Sequence, residues 1–513
     1  FSDKDNSSFS TSNPSEFLSE RALARRAKSA QPITTEDLPV NSNYIQDVLS
    51  IGNIEHLHSS KWFNAITIKT TDSTLIAAIE ALPFVSQVRQ VHTFHSPIAP
   101  EEMLRSTAAE YESSLYGEGL DQLKQINGDY LHALGFSGEG MWIGVLDAGF
   151  KRTLVLPIFD RLYERETITE VHDYVDWDNI VTDHHYHGTY VLSTMGGYLQ
   201  DSLVGTAPDA HYFLFRTEDG STEYLIEEDN WVAAIEEADS MGIDIVNSSL
   251  GYSTFDDPEQ DHSYLDMDGR TTHIAIAATM AARRGMLVVT SAGNLGSSDW
   301  HYISTPGDAD SILTVGAVNN LGEHAPFSSF GPTADGRVKP NVVAMGQAAS
   351  FAANDSTIRQ GNGTSFSSPI LCGMAACLWQ AHPQATNMEI IDAIERSAHL
   401  YTNPNDSLGY GIPDFGKAHL FLLNKFAAQS NGILIYPNPS AGLIRFEVEG
   451  ITSEIVRIYD TQGRILADLP CVYIDSSRGI GTLDLRTLGL TAGVYYLQFE
   501  QDHRIRTVRA ILE

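Results

Sequence analysis

The sequence predicts an α/β domain built on a mostly parallel sheet with helices on both faces, preceded by a small α+β module and followed by an all-β sandwich. Three observations predict it. Between about Leu120 and Lys417 short apolar runs alternate with helical patterns, which marks a parallel sheet covered on both faces. From about Leu38 to Val91 shorter strand-like and helix-like segments are mixed. After Lys425 short strands with turn signals recur to the chain end, about six or seven in roughly 80 residues, as in a β-sandwich. A length of 513 residues and 42% apolar content suit about three domains.

Taken in order, residues 1 to about 32 are polar, with one helix around Ser15 to Ala30 whose Arg21, Arg25, Arg26 and Lys28 read as a solvated face rather than a lipid-binding patch. The following module has an apolar segment at Tyr44 to Leu49, alternating segments at Asn53 to Leu57 and Ala65 to Lys69, a helix at Thr74 to Leu82 and a strand at Val85 to Val91. Ser96 to Gly119 is rich in Pro, Ser, Glu and Gly and suits an exposed connection. Buried strands are expected at Met141 to Leu146, Ile243 to Asn247, Met286 to Thr290 and Ile312 to Gly316, with helices at Asp229 to Met241 and Ile274 to Arg284. Gln429-Ser430-Asn431-Gly432 reads as a linker before the C-terminal strands. The domains expected are therefore residues 1–95, a linker at 96–118, 119–425 and 432–513.

The chain carries 32 basic and 66 acidic residues, a net charge of −34, which repels phosphate backbones and anionic membranes and makes nucleic acid a poor partner. No run of 18 apolar residues exists to span a membrane; the most apolar stretch, Ile274 to Val289, is broken by Arg283 and Arg284. Cys372, Cys377 and Cys471 are too few for a disulfide framework and read as small apolar fillers. The chain opens on Phe1-Ser2-Asp3-Lys4 with no signal-peptide pattern, so an N-terminal piece is expected to have been removed or left out.

Four segments carry chemistry. Asp147 directly follows a buried strand, so its carboxylate is presented at a strand end. His187 begins a helical run in His187-Gly188-Thr189, where Gly188 permits close backbone approach. His184 and His185 raise a zinc alternative, but no CxxC or HExxH spacing accompanies them. Ser365 lies at a helix start in Gly363-Thr364-Ser365-Phe366-Ser367-Ser368-Pro369, where free N–H groups favour negative charge; a plain N-cap serine is the alternative. Asn294 follows a buried strand in Ala292-Gly293-Asn294 and can donate to an oxyanion.

Taken jointly, in the order Asp, His, Asn, Ser, these segments resemble the subtilisin-like serine peptidases over about 300 residues. Ser248-Ser249-Leu250-Gly251, Gly205-Thr206-Ala207-Pro208 and Phe327-Ser328-Ser329-Phe330-Gly331-Pro332 add to the resemblance. The departures are Ala148 for the common Thr, Met345 for Pro, and Tyr190 for a frequent second His. The resemblance implies Ser365 as nucleophile, His187 as general base, Asp147 orienting it and Asn294 in the oxyanion hole. Ser249, Leu250 and Gly251 would pair with substrate backbone, and Ala292 and Gly293 would line the site. It implies no cofactor for catalysis; structural calcium is allowed, with no EF-hand-like loop to name its ligands, so the metal sites are unknown.

The first module resembles this family's inhibitory propeptide, ferredoxin-like in fold, which would act as an intramolecular inhibitor. Tyr436-Pro437-Asn438-Pro439 with Gly493-Val494-Tyr495-Tyr496-Leu497 makes the last module similar to the immunoglobulin-like C-terminal sorting domain of type IX secretion in Bacteroidetes. The resemblances imply a secreted or cell-surface endopeptidase acting on protein or peptide substrates, exported through periplasm and outer membrane by the type IX machinery. The rivals are a catalytically silent peptidase fold used for binding and a maturation protease cutting one partner.

Overall fold

A computed structural model describes residues 1–92, 115–429, 432–448, 455–476, 479–501 and 504–513. Most of the expected linker at 96–118, and the Ser430-Asn431 part of the second, lie outside the described residues. Two compact units are present: residues 1–415 without 381–383, and residues 416–513 with 381–383.

The first unit starts with α1 (Glu20–Lys28), α2 (Ser42–Leu49), the antiparallel pair β1 (Glu55–Ser60) and β2 (Ala65–Lys69), and α3 (Leu75–Glu80). The Tyr44 to Leu49 segment is thus helical. Val48, Ile79 and Phe84 form its core, and Tyr44 stacks on Phe84 with ring centres 4.0 Å apart. The strand expected at Val85 to Val91 does not form, because Val85 and Val88 pack on this core instead of pairing. The expectation for the basic helix is also reversed. Arg25 and Arg26 are buried, 4% and 2% exposed, and both pair with the buried Asp239 at 2.5 and 2.6 Å. Arg26 and Arg284 share Asp37 at 3.0 and 2.8 Å, and Lys61 reaches Asp239 at 3.2 Å. A polar helix face met by another element's carboxylates reads, in sequence, like one met by water.

Seven strands then build the main sheet: β3 (Trp142–Asp147), β4 (Ile168–Asp173), β5 (His211–Arg216), β6 (Ile245–Ser248), β7 (Leu287–Ser291), β8 (Leu313–Val318) and β9 (Val342–Met345). Their order is β9-β8-β7-β6-β3-β5-β4 and every neighbouring pair is parallel. Runs such as Ile143-Gly144-Val145-Leu146 are buried throughout, which is why they lack polar alternation. The strand order reverses at β3, the place where open α/β sheets put their ligands.

Packed on the sheet are α4 (His187–Gly196), α5 (Leu225–Met241), α6 (His273–Arg283) and α7 (Thr364–Ala381). Leu146, Phe213, Trp231, Ile235, Ala278 and Val288 belong to one buried cluster. Between β9 and α7 the chain also forms an antiparallel hairpin, β10 (Gln347–Ala352) with β11 (Ile358–Asn362). The N-terminal module docks on α5 through Glu236, whose carboxylate accepts from Ser60 Oγ at 2.6 Å, Lys61 N at 2.6 Å and Trp62 N at 3.1 Å. A cavity of about 340 Å³ lies in this junction, lined by Ile66, Ile68, His58, Val232 and His273.

The second unit contains α8 (Phe415–Gln429) from Gly416 onward and eight strands: β12 (Ile433–Tyr436), β13 (Leu443–Val448), β14 (Ile455–Tyr459), β15 (Ile465–Pro470), β16 (Val472–Asp475), β17 (Ile480–Asp484), β18 (Gly493–Gln501) and β19 (Arg504–Leu512). They form two four-stranded antiparallel sheets, β12-β13-β17-β16 and β15-β14-β18-β19, over a core that includes Ile444, Phe446, Ile458, Leu483, Leu497 and Phe499. Strands β15 and β16 were not expected. The Tyr-Pro-Asn-Pro motif is structural: Tyr436 OH donates to the buried Glu447, and Asn438 bonds Arg509 O and Ile511 N, each at 2.8 Å.

Candidate active site

Four adjacent parallel strands in register deliver the candidate residues to one end of the sheet. Asp147 closes β3 opposite Arg216 of β5; Leu146 faces Ser248 of β6; Ser248 faces Thr290 of β7. Asp147, Ser249 and the Ala292-Gly293-Asn294 turn therefore emerge side by side.

Asp147 is fully buried. Its Oδ1 accepts from Ala148 N at 2.8 Å and lies 2.7 Å from His187 Nδ1, so the ring's orientation is set by the carboxylate. Asp147 Oδ2 is buried with no donor among the described residues. His187 is the first residue of α4, and Gly188 N donates to Gly149 O at 3.0 Å. A Cβ on Gly188 would stand 2.6 Å from that same oxygen, so the turn that brings His187 to Asp147 requires glycine there. Tyr190, in place of a second His, is buried with its ring 4.8 Å from Phe351.

Ser365 is the second residue of α7, 9% exposed, with its N–H at the helix's positive end. Its hydroxyl donates to Ser249 O at 3.4 Å, and Ser249 Oγ donates to Ser365 O at 3.1 Å. In this state the hydroxyl is not bonded to His187; catalytic bonds of this kind often tighten only when substrate is present. Asn294 Oδ1 accepts from Thr364 N at 2.8 Å and Thr364 Oγ1 at 2.9 Å, which leaves its NH2 group on the opposite side. Ala292 is buried, with its N–H on Val315 O at 2.9 Å, and Gly293 has φ +101°, a conformation glycine adopts freely. Leu250 O accepts from Ser291 Oγ at 3.3 Å, while Gly251 is exposed.

A supporting frame was missed from sequence. Ser368 Oγ donates to Asn247 Oδ1 at 2.8 Å, and Asn247 Nδ2 donates to Ser249 Oγ at 3.0 Å, which ties α7 to the end of β6. The run of amide and hydroxyl side chains at Asn247-Ser248-Ser249, ending an apolar strand, is the signal that could have found it. Cys372 and Cys377 are buried within α7, as expected of apolar fillers.

The comparisons with known proteins match three family profiles along the chain. The profile of the Subtilase family, Peptidase S8, matches residues 138–411. The chain belongs to the subtilase family. The Peptidase S8 propeptide domain of Bacteroidota matches residues 1–107, and the secretion system C-terminal sorting domain matches residues 434–513 of this subtilase. Subtilisin NAT of Bacillus subtilis subsp. natto is 28% identical over 366 residues, 70% of this chain and 81% of the relative. Subtilisin E of Bacillus subtilis (strain 168) matches to the same extent, and Bacillopeptidase F of that strain is 26% identical over 399 residues, 72% of this chain and 26% of its own length. The crystal structure of MycP1 from Mycobacterium smegmatis superposes with a TM-score of 0.47 at 20% identity, over 63% of this chain and 90% of that one. The subtilase is thus a serine endopeptidase with its own propeptide, and its sorting domain indicates type IX secretion to the cell surface or beyond. No described helix is long and apolar enough to cross a membrane.

Subtilisins need no cofactor for catalysis, and calcium is common among subtilases. Among the described residues one group, Asp173, Asp176 and His184, brings candidate ligand atoms within 4.8 Å of one another. It does not fit calcium. Arg216 Nη1 lies 2.8 Å from Asp173 and 2.7 Å from Asp176, and Asp173 Oδ1 is taken by the N–H groups of Val175 and Asp176. Calcium asks for six to eight oxygens without a fixed cation among them.

Proposed function

We propose that this chain is the autoinhibited precursor of a secreted endopeptidase that cleaves peptide bonds through an acyl-enzyme on Ser365. The observation that carries the reading is the buried Asp147 carboxylate 2.7 Å from His187 Nδ1, beside a helix that begins at Thr364. With Nδ1–H donated to Asp147, the Nε2 lone pair is the ring's remaining base. Rotation of the Ser365 hydroxyl away from Ser249 O lets His187 take its proton as Oγ attacks the substrate carbonyl. The negative charge that develops on the carbonyl oxygen is met by the Ser365 N–H and the Asn294 NH2 group, donors already oriented before reaction. His187 then gives its proton to the leaving amine. Water, activated by the same ring, releases the acid. Asp147 holds the tautomer and stabilises the imidazolium without itself taking the proton.

Ser249, Leu250 and Gly251 continue β6 past its last ladder residue and would bind substrate backbone as an added strand, with Ala292 and Gly293 walling the neighbouring pocket. This mode of binding reads shape and backbone rather than one sequence. The domain limits proposed are 1–95 for the N-terminal region and propeptide, 96–118 for the connection cut on maturation, 119–425 for the peptidase and 432–513 for the sorting domain. Structural calcium would need ligands other than the Asp173 group.

The test is intact mass over time for the precursor and for Ser365→Ala, each mixed with an unrelated denatured protein. The native chain is expected to shorten within 96–118 and to degrade the substrate, and the variant to do neither. If both chains stay whole and the substrate survives even after the N-terminal region is trimmed by added protease, the fold is silent and this reading is wrong.

A further inference from the structure

Three buried or half-buried glutamates beside the proposed catalytic end have no task in the mechanism. Glu218 follows β5 by two residues, and Thr217 N donates to Asp147 O at 3.1 Å, so Glu218 stands next to the catalytic carboxylate's strand end. Tyr252, the residue after Ser249-Leu250-Gly251, donates its hydroxyl to Glu218. Glu223 is half-buried in the loop between β5 and α5, and Glu227, 2% exposed, lies in the first turn of α5.

Two acidic residues beside this trio on α5 have counter-ions: Glu228 meets His262 at 2.5 Å, and Asp229 meets Arg89. No Lys, Arg or His among the described residues pairs with Glu218, Glu223 or Glu227. Glu227 Oε1 accepts from Asp219 N at 3.2 Å, and its Oε2 is buried with no hydrogen-bond partner among the described residues. Burial pushes Glu218 up to about 7, with the Asp147 charge adding to it, while burial followed by repulsion from neighbouring carboxylates pushes Glu223 up to about 8 and Glu227 well above the usual carboxyl range.

A peptide already runs past it. Ile226 N donates to Val91 O at 3.0 Å, and the His92 ring meets Tyr224 edge-on with centres 4.3 Å apart. Val91 and His92 precede the connection that maturation would cut, so this is the track of chain on the acyl side of a scissile bond. The inference rests on the peptidase reading above.

We propose that Glu218, Glu223 and Glu227 form a subsite for a basic side chain, Arg or Lys, on the acyl side of the substrate's scissile bond. A metal ion fits less well: the three carboxyls are too spread to bring ligand atoms within 4.8 Å of one another, a spacing that only the Asp173 group meets among the described residues. A guanidinium, with five donors in a wide planar fork, bridges separated carboxylates with charge-assisted hydrogen bonds.

The test uses the full chain after its own maturation and quenched fluorescent peptides that differ only by Arg, Gln or Glu at each of the eight residues on the acyl side. At one position Arg is expected to exceed Gln in kcat/KM by roughly tenfold or more, with Glu poorest. Glu223→Gln is expected to bring the Arg-to-Gln ratio to within about threefold, and Glu223→Arg to invert it in favour of the Glu peptide, a gain that misfolding cannot produce. Arg and Gln cleaved alike at all eight positions, or a ratio unchanged in Glu223→Gln, overturns the subsite while leaving the peptidase reading intact. A preference that vanishes in EDTA and returns with calcium also overturns it, by making the group a metal site. If folded wild-type protein cuts no peptide, the peptidase reading falls and the subsite with it.

Discussion

Asn294 Oδ1 accepts both the backbone N–H and the hydroxyl of Thr364, at 2.8 and 2.9 Å, so a side chain from the end of β7 caps the helix that carries Ser365. One amide thereby does two jobs: its oxygen fixes the helix start and its nitrogen faces the proposed oxyanion.

The two jobs are separable. Asn294→Ala is expected to lower kcat by ~10²- to 10³-fold through loss of the donor, and to lower stability by about 1 kcal/mol through loss of the cap. Asn294→Asp keeps the accepting oxygen but not the donor, so kcat falls while the melting temperature stays near wild type. Melting that drops equally in both variants would show that Oδ1 is not the cap.

Asp147→Asn is expected to cut kcat by about 10⁴-fold with the fold intact, because the wrong imidazole tautomer is then held. Ala148 N still finds an oxygen at that position. The precursor should accumulate uncut, as read by intact mass.

Glu236 gathers three donors from the N-terminal module within 3.1 Å. Glu236→Ala leaves two buried N–H groups without an acceptor, a loss of ~3–5 kcal/mol if fully expressed. In the cleaved but still associated complex, propeptide dissociation is expected to rise by roughly 10²-fold or more. Retention of the propeptide on gel filtration at micromolar concentration would count against this docking role.

Docking should also weaken in acid. His58 is buried against α5, 3.0 Å from Asn230 Oδ1, and His273 of α6 stacks on Phe63 at 4.8 Å; burial brings each down to about 4. A free imidazole titrates near 6.5, so the docked state holds fewer protons than the separated one. The contribution of these rings is complete above about pH 6.5 and is lost as pH falls toward 4. Asp229, pushed up to about 6 by burial, acts in the opposite sense. Propeptide release from the cleaved complex is expected to increase between pH 6.5 and 4.5, and less so in the His58→Gln, His273→Gln double variant. Release that does not change over that range would remove the histidines from the account.

The basic helix α1 shows where reading the chain failed. Arg25 and Arg26 have the spacing of a solvated face, and the structure buries both on Asp239, more than 200 positions away in sequence. The pattern was read correctly as polar; what it could not disclose was that the polar groups facing it belong to α5 and not to water. Val85 to Val91 failed for a related reason. Its valines recur every third residue, and packing of Val85 and Val88 on Val48 and Ile79 satisfies them without a ladder.

By itself the sequence determined the type and order of the elements around β3, the chain order Asp147, His187, Asn294, Ser365, and the three-part organisation that the family profiles match. These are legible because each depends on a short stretch: an apolar run, a glycine where a Cβ would strike Gly149 O, a serine at a helix start. Tertiary structure alone decided the strand order, the reciprocal bonds between Ser249 and Ser365, the cap that Asn294 places on α7, and the gathering of Glu218, Glu223 and Glu227, for which the described residues supply no counter-ion. Each of these depends on desolvation and on which distant partner is present, and neither quantity is a property of a residue and its neighbours in the chain.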